Sequence, residues 1–279
     1  MQLSVAIPAS LVSDVPHLRE KTSRLGMVGR ALAIFHVEEI IIYLDRPDKN
    51  QYSDVELIST VLSYMETPQY LRRHLFPKMS SLNYAGILPP LRTPHHPLAK
   101  RIVDLKDGEW REGVVIKAGA ETLVDIGVEH PIPLNERGLP VWKRVTVRIH
   151  KDKHKMKIKR VEQPHANDIY WGYLVNVSNL SLGQILRNGA FDLFVLTSRY
   201  GKPLTEAIEK LKSRLEETNK ILIAFGSPKQ GLKKILEREG LKIDNVDALV
   251  VNTVPGQGVE TVRTEEAIYA TLAVINTIV

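Results

Sequence analysis

Three stretches near the end of the chain combine glycine with small polar residues, and each follows an apolar segment. They are 196–203 (LTSRYGKP), 225–231 (FGSPKQG) and 252–266 (NTVPGQGVETVRTEE). In a parallel sheet, ligands bind beyond the carboxyl ends of the strands. Backbone amides and carbonyls there can hydrogen-bond an adenine edge and ribose hydroxyls. Any one of these loops could be a turn that its glycines permit, but the three together predict a ligand pocket.

Several other kinds of site are disfavoured by the sequence. It contains no GxxxxGK[ST] run and no GxGxxG after a strand, which argues against an NTPase, a kinase or a conventional dinucleotide enzyme. A GxSxG elbow and a HExxH pair are also missing, and cysteine is absent. We therefore expect no bound metal, no cysteine nucleophile and no disulfide.

A strongly basic segment spans 143–160 (KRVTVRIHKDKHKMKIKR). It holds nine Lys or Arg and one Asp, a local net charge of +8 against +6 for the whole chain. The alternation places His154, Met156 and Ile158 on one strand face and lysines on the other. A solvated hairpin with edge lysines is the plainer alternative, but this density of cations favours RNA contact. The predicted RNA-binding residues are Lys143, Arg144, Arg148, Lys151, Lys153, Lys155, Lys157 and Lys159.

Hydrophobic periodicity divides the 279 residues into an α/β part, an all-β part and a second α/β part. We expect these parts at 1–90, 91–165 and 166–279, with Pro68 interrupting an early helix. The flanking parts are predicted to build one parallel sheet, because the first is too small to be stable alone. Close strands without helices predict a small barrel for the middle part.

The sequence also carries an expectation about location. It has no apolar run of about 18 residues, so no membrane span is predicted. The first residues are too polar for a signal peptide, and we expect a cytoplasmic protein.

The motifs resemble those of SPOUT methyltransferases. FGSPKQGL and NTVPGQGVETVRTEEAIYATLAVIN are similar to the last two motifs of that superfamily, and RLGMVGRALAIFHVEEIIIY (24–43) is similar to the first. The resemblance covers essentially the whole chain. It is closest to the archaeal and eukaryotic RNA methyltransferase group that carries an inserted OB-like domain.

The resemblance implies an α/β fold with a trefoil knot, S-adenosylmethionine as cofactor, a homodimer, and RNA as substrate, either ribosomal or transfer RNA. It implies Arg30 near the methyl acceptor, although a helix-surface ion pair with Glu38 or Glu39 is the alternative for this arginine. The cofactor-binding residues that it implies are Thr197, Arg199, Gly201, Gly226, Ser227, Pro228, Asn252, Val254, Gln257, Gly258 and Thr261.

Some roles stay open at this level. Arg199 could meet the methionine carboxylate in a bidentate pair or contact RNA, and Thr264 is expected to cap the last helix. The acceptor could be a base nitrogen or a ribose 2′-oxygen. Rival functions are a non-catalytic RNA-binding or ribosome-assembly factor, which would bind the cofactor weakly, and a small-molecule enzyme, which would not bind RNA.

Overall fold

A computed structural model describes residues 1–119, 121–152, 155–164 and 169–278. The chain divides into two compact units. Unit 1 comprises 1–63, 81–90 and 173–279, and unit 2 comprises 64–80 and 91–172. Unit 1 is therefore built from both ends of the chain, and most of unit 2 is inserted between them.

The elements are numbered in chain order. The strands are β1 (Gln2–Pro8), β2 (Glu39–Leu44), β3 (Trp110–Lys117), β4 (Thr122–Asp125), β5 (Ile132–Leu134), β6 (Arg144–Asp152), β7 (Lys155–Arg160), β8 (Leu174–Ser181), β9 (Leu193–Pro203), β10 (Lys220–Ala224) and β11 (Leu249–Asn252). The α-helices are α1 (Leu18–Ile34), α2 (Tyr52–Glu66), α3 (Gln69–Leu75), α4 (Leu182–Arg187), α5 (Leu204–Glu216), α6 (Leu232–Arg238) and α7 (Thr264–Ile275).

Unit 1 contains a six-stranded sheet in the order β11-β9-β10-β1-β2-β8. Every pairing in it is parallel, including that of β1 with β10, where Val5 lies opposite Ile223. The prediction that the two ends of the chain share one parallel sheet is confirmed. Residues 4–8 of β1 are all buried, which is typical of a central strand whose sheet is covered by helices on both faces.

Helices supply the rest of the unit 1 core. α1 packs against α7, and apolar residues of α4 and α6 form one cluster with the sheet. Pro68 separates α2 from α3, as predicted, because its ring cannot continue the hydrogen bonding of α2. Within the described part of the chain, we find no helix whose length and apolar character would let it cross a bilayer.

Unit 2 contains a closed five-stranded barrel in the order β3-β4-β5-β7-β6. Its pairings are antiparallel except for the one between β5 and β7, and its interior is apolar, with Val115, Val147 and Ile158 among the buried residues. The predicted small barrel is confirmed, and its architecture fits an OB-like domain. The short strand β5, which contains Pro133, was not predicted because three residues show no clear alternation.

A buried polar network lies beside the barrel. Both Glu66 carboxylate oxygens accept hydrogen bonds from Arg144, at 2.6 and 2.8 Å. The Arg144 Nε donates to Glu112 at 2.6 Å, and Glu112 is fully buried and also accepts from Trp171 Nε1 at 2.5 Å. Buried charges are tolerated where their partners satisfy them in this way.

The network displaces the pKa values of Glu66 and of the neighbouring His96. Burial alone would raise the pKa of Glu66, but the ion pair with Arg144 outweighs it and lowers that pKa to about 2. Burial, followed by repulsion from the His95 ring, lowers the pKa of His96 to about 4. His96 Nε2 lies 2.6 Å from the Glu66 carbonyl oxygen, so the neutral imidazole can donate to that oxygen.

Acid should destabilise unit 2 in two steps. The unfolded state has an ordinary histidine pKa near 6.5, so as pH falls from 6.5 to about 4 it binds a proton that the folded state does not. We expect His96 to cost about 1–3 kcal/mol of unfolding free energy over that window. Protonation of Glu66 adds a further loss between about pH 4.5 and 2.

Urea unfolding at a series of pH values measures these losses. A His96→Gln variant keeps a side-chain donor and lacks the titration, so its stability should change less than that of the wild type between pH 7 and 4. Equal slopes for the two proteins would contradict the assignment to His96.

Candidate functional site

The three glycine-containing loops of the C-terminal part leave neighbouring strands. β11, β9 and β10 are adjacent in the sheet, and all three run in the same direction. Their carboxyl ends therefore meet at one edge of unit 1, which is where ligands bind in sheets of this kind.

The first loop lies within a strand. Leu196 is opposite Val250 and Lys202 is opposite Val251, so 197–201 form an outward bulge between two successive pairs of β9 and β11. After the bulge the chain returns to the sheet, and β9 continues to Pro203. Bulges are common beside active sites, where they redirect side chains.

Gly201 closes this bulge by close backbone contact. A Cβ at this position would lie 2.7 Å from the Val251 carbonyl carbon and 2.8 Å from the Val251 nitrogen. Any larger residue would push β9 away from β11. Gly201 therefore fixes where the 197–201 loop begins and ends.

Side chains from two loops bond to the backbone of their neighbours. The Thr197 hydroxyl donates to the Ala224 carbonyl at 2.9 Å, which joins the first loop to the end of β10. The Asn252 amide donates to the Arg199 carbonyl at 3.0 Å, and its oxygen accepts from the Val254 N–H at 3.0 Å. Thr197 and Asn252 thus hold the three strand ends in a fixed arrangement.

The second loop is a tight turn after β10. The Ser227 N–H donates to the Gln230 carbonyl at 2.8 Å and the Gln230 N–H donates back at 3.2 Å, with Pro228 between them. A Cβ on Gly226 would lie 3.0 Å from the Gln230 carbonyl oxygen. The small residues are therefore needed for the shape of the turn, whatever it binds.

The base of this second loop is fixed by the first half of the chain. The Phe225 N–H donates to the Ala6 carbonyl at 3.0 Å, and the buried Tyr43 hydroxyl donates to the Phe225 carbonyl at 2.7 Å. Burial, with the nearby Asp45 and Glu239 charges, raises the pKa of Tyr43, so its hydroxyl remains a donor.

Thr264 has a different role from the one predicted. It is the first residue of α7 rather than its cap, and its hydroxyl donates to the Gly226 carbonyl at 3.1 Å. The N-terminal turn of α7 is instead satisfied by Glu266, whose carboxylate accepts from the Arg263 N–H at 2.9 Å. The N-terminus of α7 is consequently tied to the second loop.

Gln230 was not singled out from the sequence. Its Oε1 atom is buried and has no hydrogen-bond partner among the described residues. Leaving a buried acceptor unsatisfied is unfavourable, and such an atom in a candidate pocket is explained by a ligand donor. The sequence signal was weak, because glutamine at this position is also an ordinary turn residue.

The third loop is the most exposed of the three. Gly258 and Thr261 are exposed, and Val259 keeps 59% of its surface accessible. The Gln257 amide donates to the Val259 and Glu260 carbonyls, at 2.8 and 3.0 Å. The Arg199 guanidinium donates to the Glu260 carbonyl at 3.0 Å, so it links the first loop to the third.

Arg30 lies on α1, the helix that packs against α7. Its guanidinium donates to the Pro90 carbonyl at 2.8 Å. Burial raises the pKa of Tyr269 on α7, and the positive charge of the nearby Arg30 lowers it in part. The structure thus places Arg30 where α1 meets α7.

The predicted RNA-contacting cations of unit 2 have different surroundings. Lys143, Arg148, Lys157 and Lys159 are exposed, whereas Arg144 is held by Glu66 and Glu112. Lys151 is partly buried, and its ammonium donates to the Val103 carbonyl at 3.1 Å. Lys153 and the Lys155 side chain lie outside the part that the structure describes. The alternation is confirmed at Ile158, which is buried between exposed Lys157 and Lys159.

Residues 2–275 match the family described as "Putative RNA methyltransferase", and the chain belongs to this family.

Curated relatives extend over nearly the whole chain. An uncharacterized protein of Halobacterium salinarum is 34% identical, with 98% of each chain covered. The human 28S rRNA (uridine-N(3))-methyltransferase is 30% identical over 98% of this chain and 77% of its own length. The mouse protein of the same name is 31% identical over 98% of this chain and 75% of its own.

Substituting Gly201 with alanine should destabilise unit 1. The new Cβ would lie 2.7 Å from Val251, so the strands must separate or the bulge must shift, at a cost of about 1–3 kcal/mol. Gly86→Ala is the matched control, since a Cβ there meets nothing within 4 Å. Thermal unfolding of the two variants should differ by several degrees, and equal melting temperatures would contradict the close-contact role.

Proposed function

We propose that this protein is an S-adenosylmethionine-dependent RNA methyltransferase with a SPOUT-type fold. The observation that carries the proposal is the set of three interlocked loops at one sheet edge, with an unpaired buried acceptor on Gln230. Membership of the RNA methyltransferase family supports the reaction class.

The loops have the chemistry to hold the cofactor. The Gln230 Oε1 atom suits a donor such as the adenine amino group, and Gly201 and Gly226 allow the close backbone contacts that shape the first and second loops. The exposed Arg199 guanidinium can pair with the methionine carboxylate. The cofactor site would include Thr197, Arg199, Gly201, Gly226, Ser227, Pro228, Asn252, Val254, Gln257, Gly258 and Thr261. In the SPOUT assignment these loops belong to a trefoil knot.

The names of the relatives suggest the acceptor. The human and mouse relatives are called 28S rRNA (uridine-N(3))-methyltransferases, so we place large-subunit ribosomal RNA and the uridine N3 atom first among the substrates. In this reaction the uridine would lose its N3 proton and gain at N3 the methyl group that S-adenosylmethionine supplies, with S-adenosylhomocysteine as the second product.

S-adenosylmethionine supplies an already activated methyl group, so the protein mainly has to align the acceptor and exclude water. We assign Arg30 to the acceptor. The Pro90 carbonyl orients its guanidinium, whose permanent positive charge would stabilise the uridine anion and so favour loss of the N3 proton.

We further propose that the protein acts as a homodimer through α1. Met27 lies one helical turn before Arg30 and Ile34 one turn after it, and they keep 43% and 47% of their surface exposed. A second copy that covers these apolar residues would bring Arg30 to the interface. The exposed cations Lys143, Arg148, Lys157 and Lys159 of unit 2 are proposed to contact RNA phosphates.

Calorimetric titration with S-adenosylmethionine tests the cofactor site. We expect binding in the micromolar range for the wild type and none for Gly226→Trp. Even a Cβ at position 226 would lie 3.0 Å from the Gln230 carbonyl oxygen, so an indole cannot fit there. Lys233→Trp, which places the same ring on an exposed position of α6, should bind normally. RNA binding without cofactor binding in the wild type would favour the non-catalytic alternative.

Methyl transfer tests the acceptor role of Arg30. With a tritiated methyl donor and large-subunit ribosomal RNA, Arg30→Ala should lower kcat by about 100-fold, a typical loss for one charge-stabilising group. Its affinity for S-adenosylmethionine should be unchanged, and Arg30→Lys should restore part of the rate. Nucleoside analysis should find 3-methyluridine; full activity in Arg30→Ala would remove this residue from the mechanism.

A further inference from the structure

An exposed aromatic residue lies on unit 2 in an unusual backbone conformation. Trp142 has a φ of +70° and keeps 53% of its surface exposed. Bulky residues rarely adopt left-handed backbone geometry, and an exposed indole contributes little to the core. A glycine or asparagine would fit this backbone better, so the tryptophan is not explained by the fold of the turn.

The turn is held firmly by its surroundings. The Trp142 N–H donates to the Val115 carbonyl at 2.7 Å, and the Val115 N–H donates to the Lys143 carbonyl at 3.0 Å. These bonds join the residues before β6 to the neighbouring strand β3. The left-handed conformation at Trp142 is thus imposed by the barrel, and it directs the indole outward.

A second aromatic ring supports the indole from one side. The His74 imidazole stacks on Trp142 with ring centroids 5.5 Å apart and an interplanar angle of 28°. His74 Nε2 lies 2.8 Å from an Asp125 carboxylate oxygen, which orients the imidazole. Asp125 in turn accepts from the Gly127 N–H at 2.8 Å. One face of the indole is therefore supported by a ring whose position is fixed.

Cations flank this ring pair. Arg73 donates to the same Asp125 oxygen at 2.8 Å while 73% of its side chain remains exposed, and Lys143 follows Trp142 on the surface. An exposed aromatic ring with positive side chains near it is the arrangement with which proteins hold unpaired nucleotides. The ring stacks on a base, and the cations neutralise phosphates of the RNA backbone.

We propose that Trp142, His74, Arg73 and Lys143 form a stacking site for an unpaired base of the RNA substrate. The proposal rests on the proposed RNA methyltransferase function and adds one base contact to a surface otherwise assigned to phosphates. Stacking tolerates any base, so this site holds a single-stranded segment of the RNA without selecting its sequence.

The test compares two probes that differ only in their bases. One is a short uridine-rich single-stranded RNA, and the other has the same backbone with abasic sites in place of the bases. The wild type should bind the base-bearing RNA about 5-fold to 100-fold more tightly than the abasic RNA. Trp142→Asn should lose this preference and bind both probes with the affinity that the wild type shows for the abasic one.

Two controls separate stacking from charge and from misfolding. Lys157→Gln with Lys159→Gln should weaken binding of both probes equally and reduce the salt dependence. Tyr52→Ala removes another exposed aromatic ring, 73% accessible and in unit 1, and should leave both affinities unchanged. Trp142→Asn should keep the wild-type melting temperature, because relief of the left-handed backbone offsets the lost contact with His74.

If Trp142→Asn binds each probe with the same affinity as the wild type, stacking at Trp142 is excluded although RNA binding stands. If the wild type binds neither probe, the assignment of unit 2 to RNA fails and the stacking site fails with it.

Discussion

Backbone hydrogen bonds between β1 and β10 hold together two stretches from opposite ends of the chain. Because β10 lies between β1 and β9, these bonds place the end of β1 beside the end of β10 at the carboxyl edge of the sheet. The same register brings the Ala6 carbonyl to Phe225, and Tyr43 of the adjacent strand reaches the next carbonyl. The position of the loop that follows, with Gly226 and Gln230, is thus set by residues far away in the sequence.

The candidate cofactor site is stabilised largely by its own polar side chains. Thr197, Asn252 and Thr264 each donate to a backbone carbonyl of another loop or strand end. A site built in this way has its donors and acceptors oriented before any ligand arrives, which lowers the ordering cost of binding. Methyl transfer depends on alignment, so rigidity at this edge suits the proposed chemistry. Unit 2 carries exposed cations and the exposed indole of Trp142.

The sequence predicted the parallel sheet, the inserted barrel and the three loops, because these follow from local apolar patterns and from glycine-rich strand ends. It could not predict the bulge at 197–201, since nothing in LTSRYGKP shows that the chain returns to pair with β11. The sequence predicts a helix cap at Thr264, because threonine before two glutamates is typical of one, and only the tertiary structure brings the Gly226 carbonyl to its hydroxyl. The sequence around Arg144 resembles that around the exposed cations near it. Its ion pairs with Glu66 and Glu112 could not be predicted, because those residues lie far away in the sequence. Trp142 was overlooked for a similar reason, because its backbone geometry is set by β3.

The discontinuity of unit 1 also has consequences for the order of events during translation. The barrel strands follow one another closely, and the β6–β7 pair forms from adjacent stretches in which Ile149 meets Ile158. Unit 2 can therefore fold on the ribosome while β10 has not yet been made. β1, with its apolar Val5 and Ile7, has only β2 as a neighbour during that time. The first strand synthesised thus keeps one unpaired apolar edge until β10 has been synthesised, and an unpaired edge of this kind can pair with other chains.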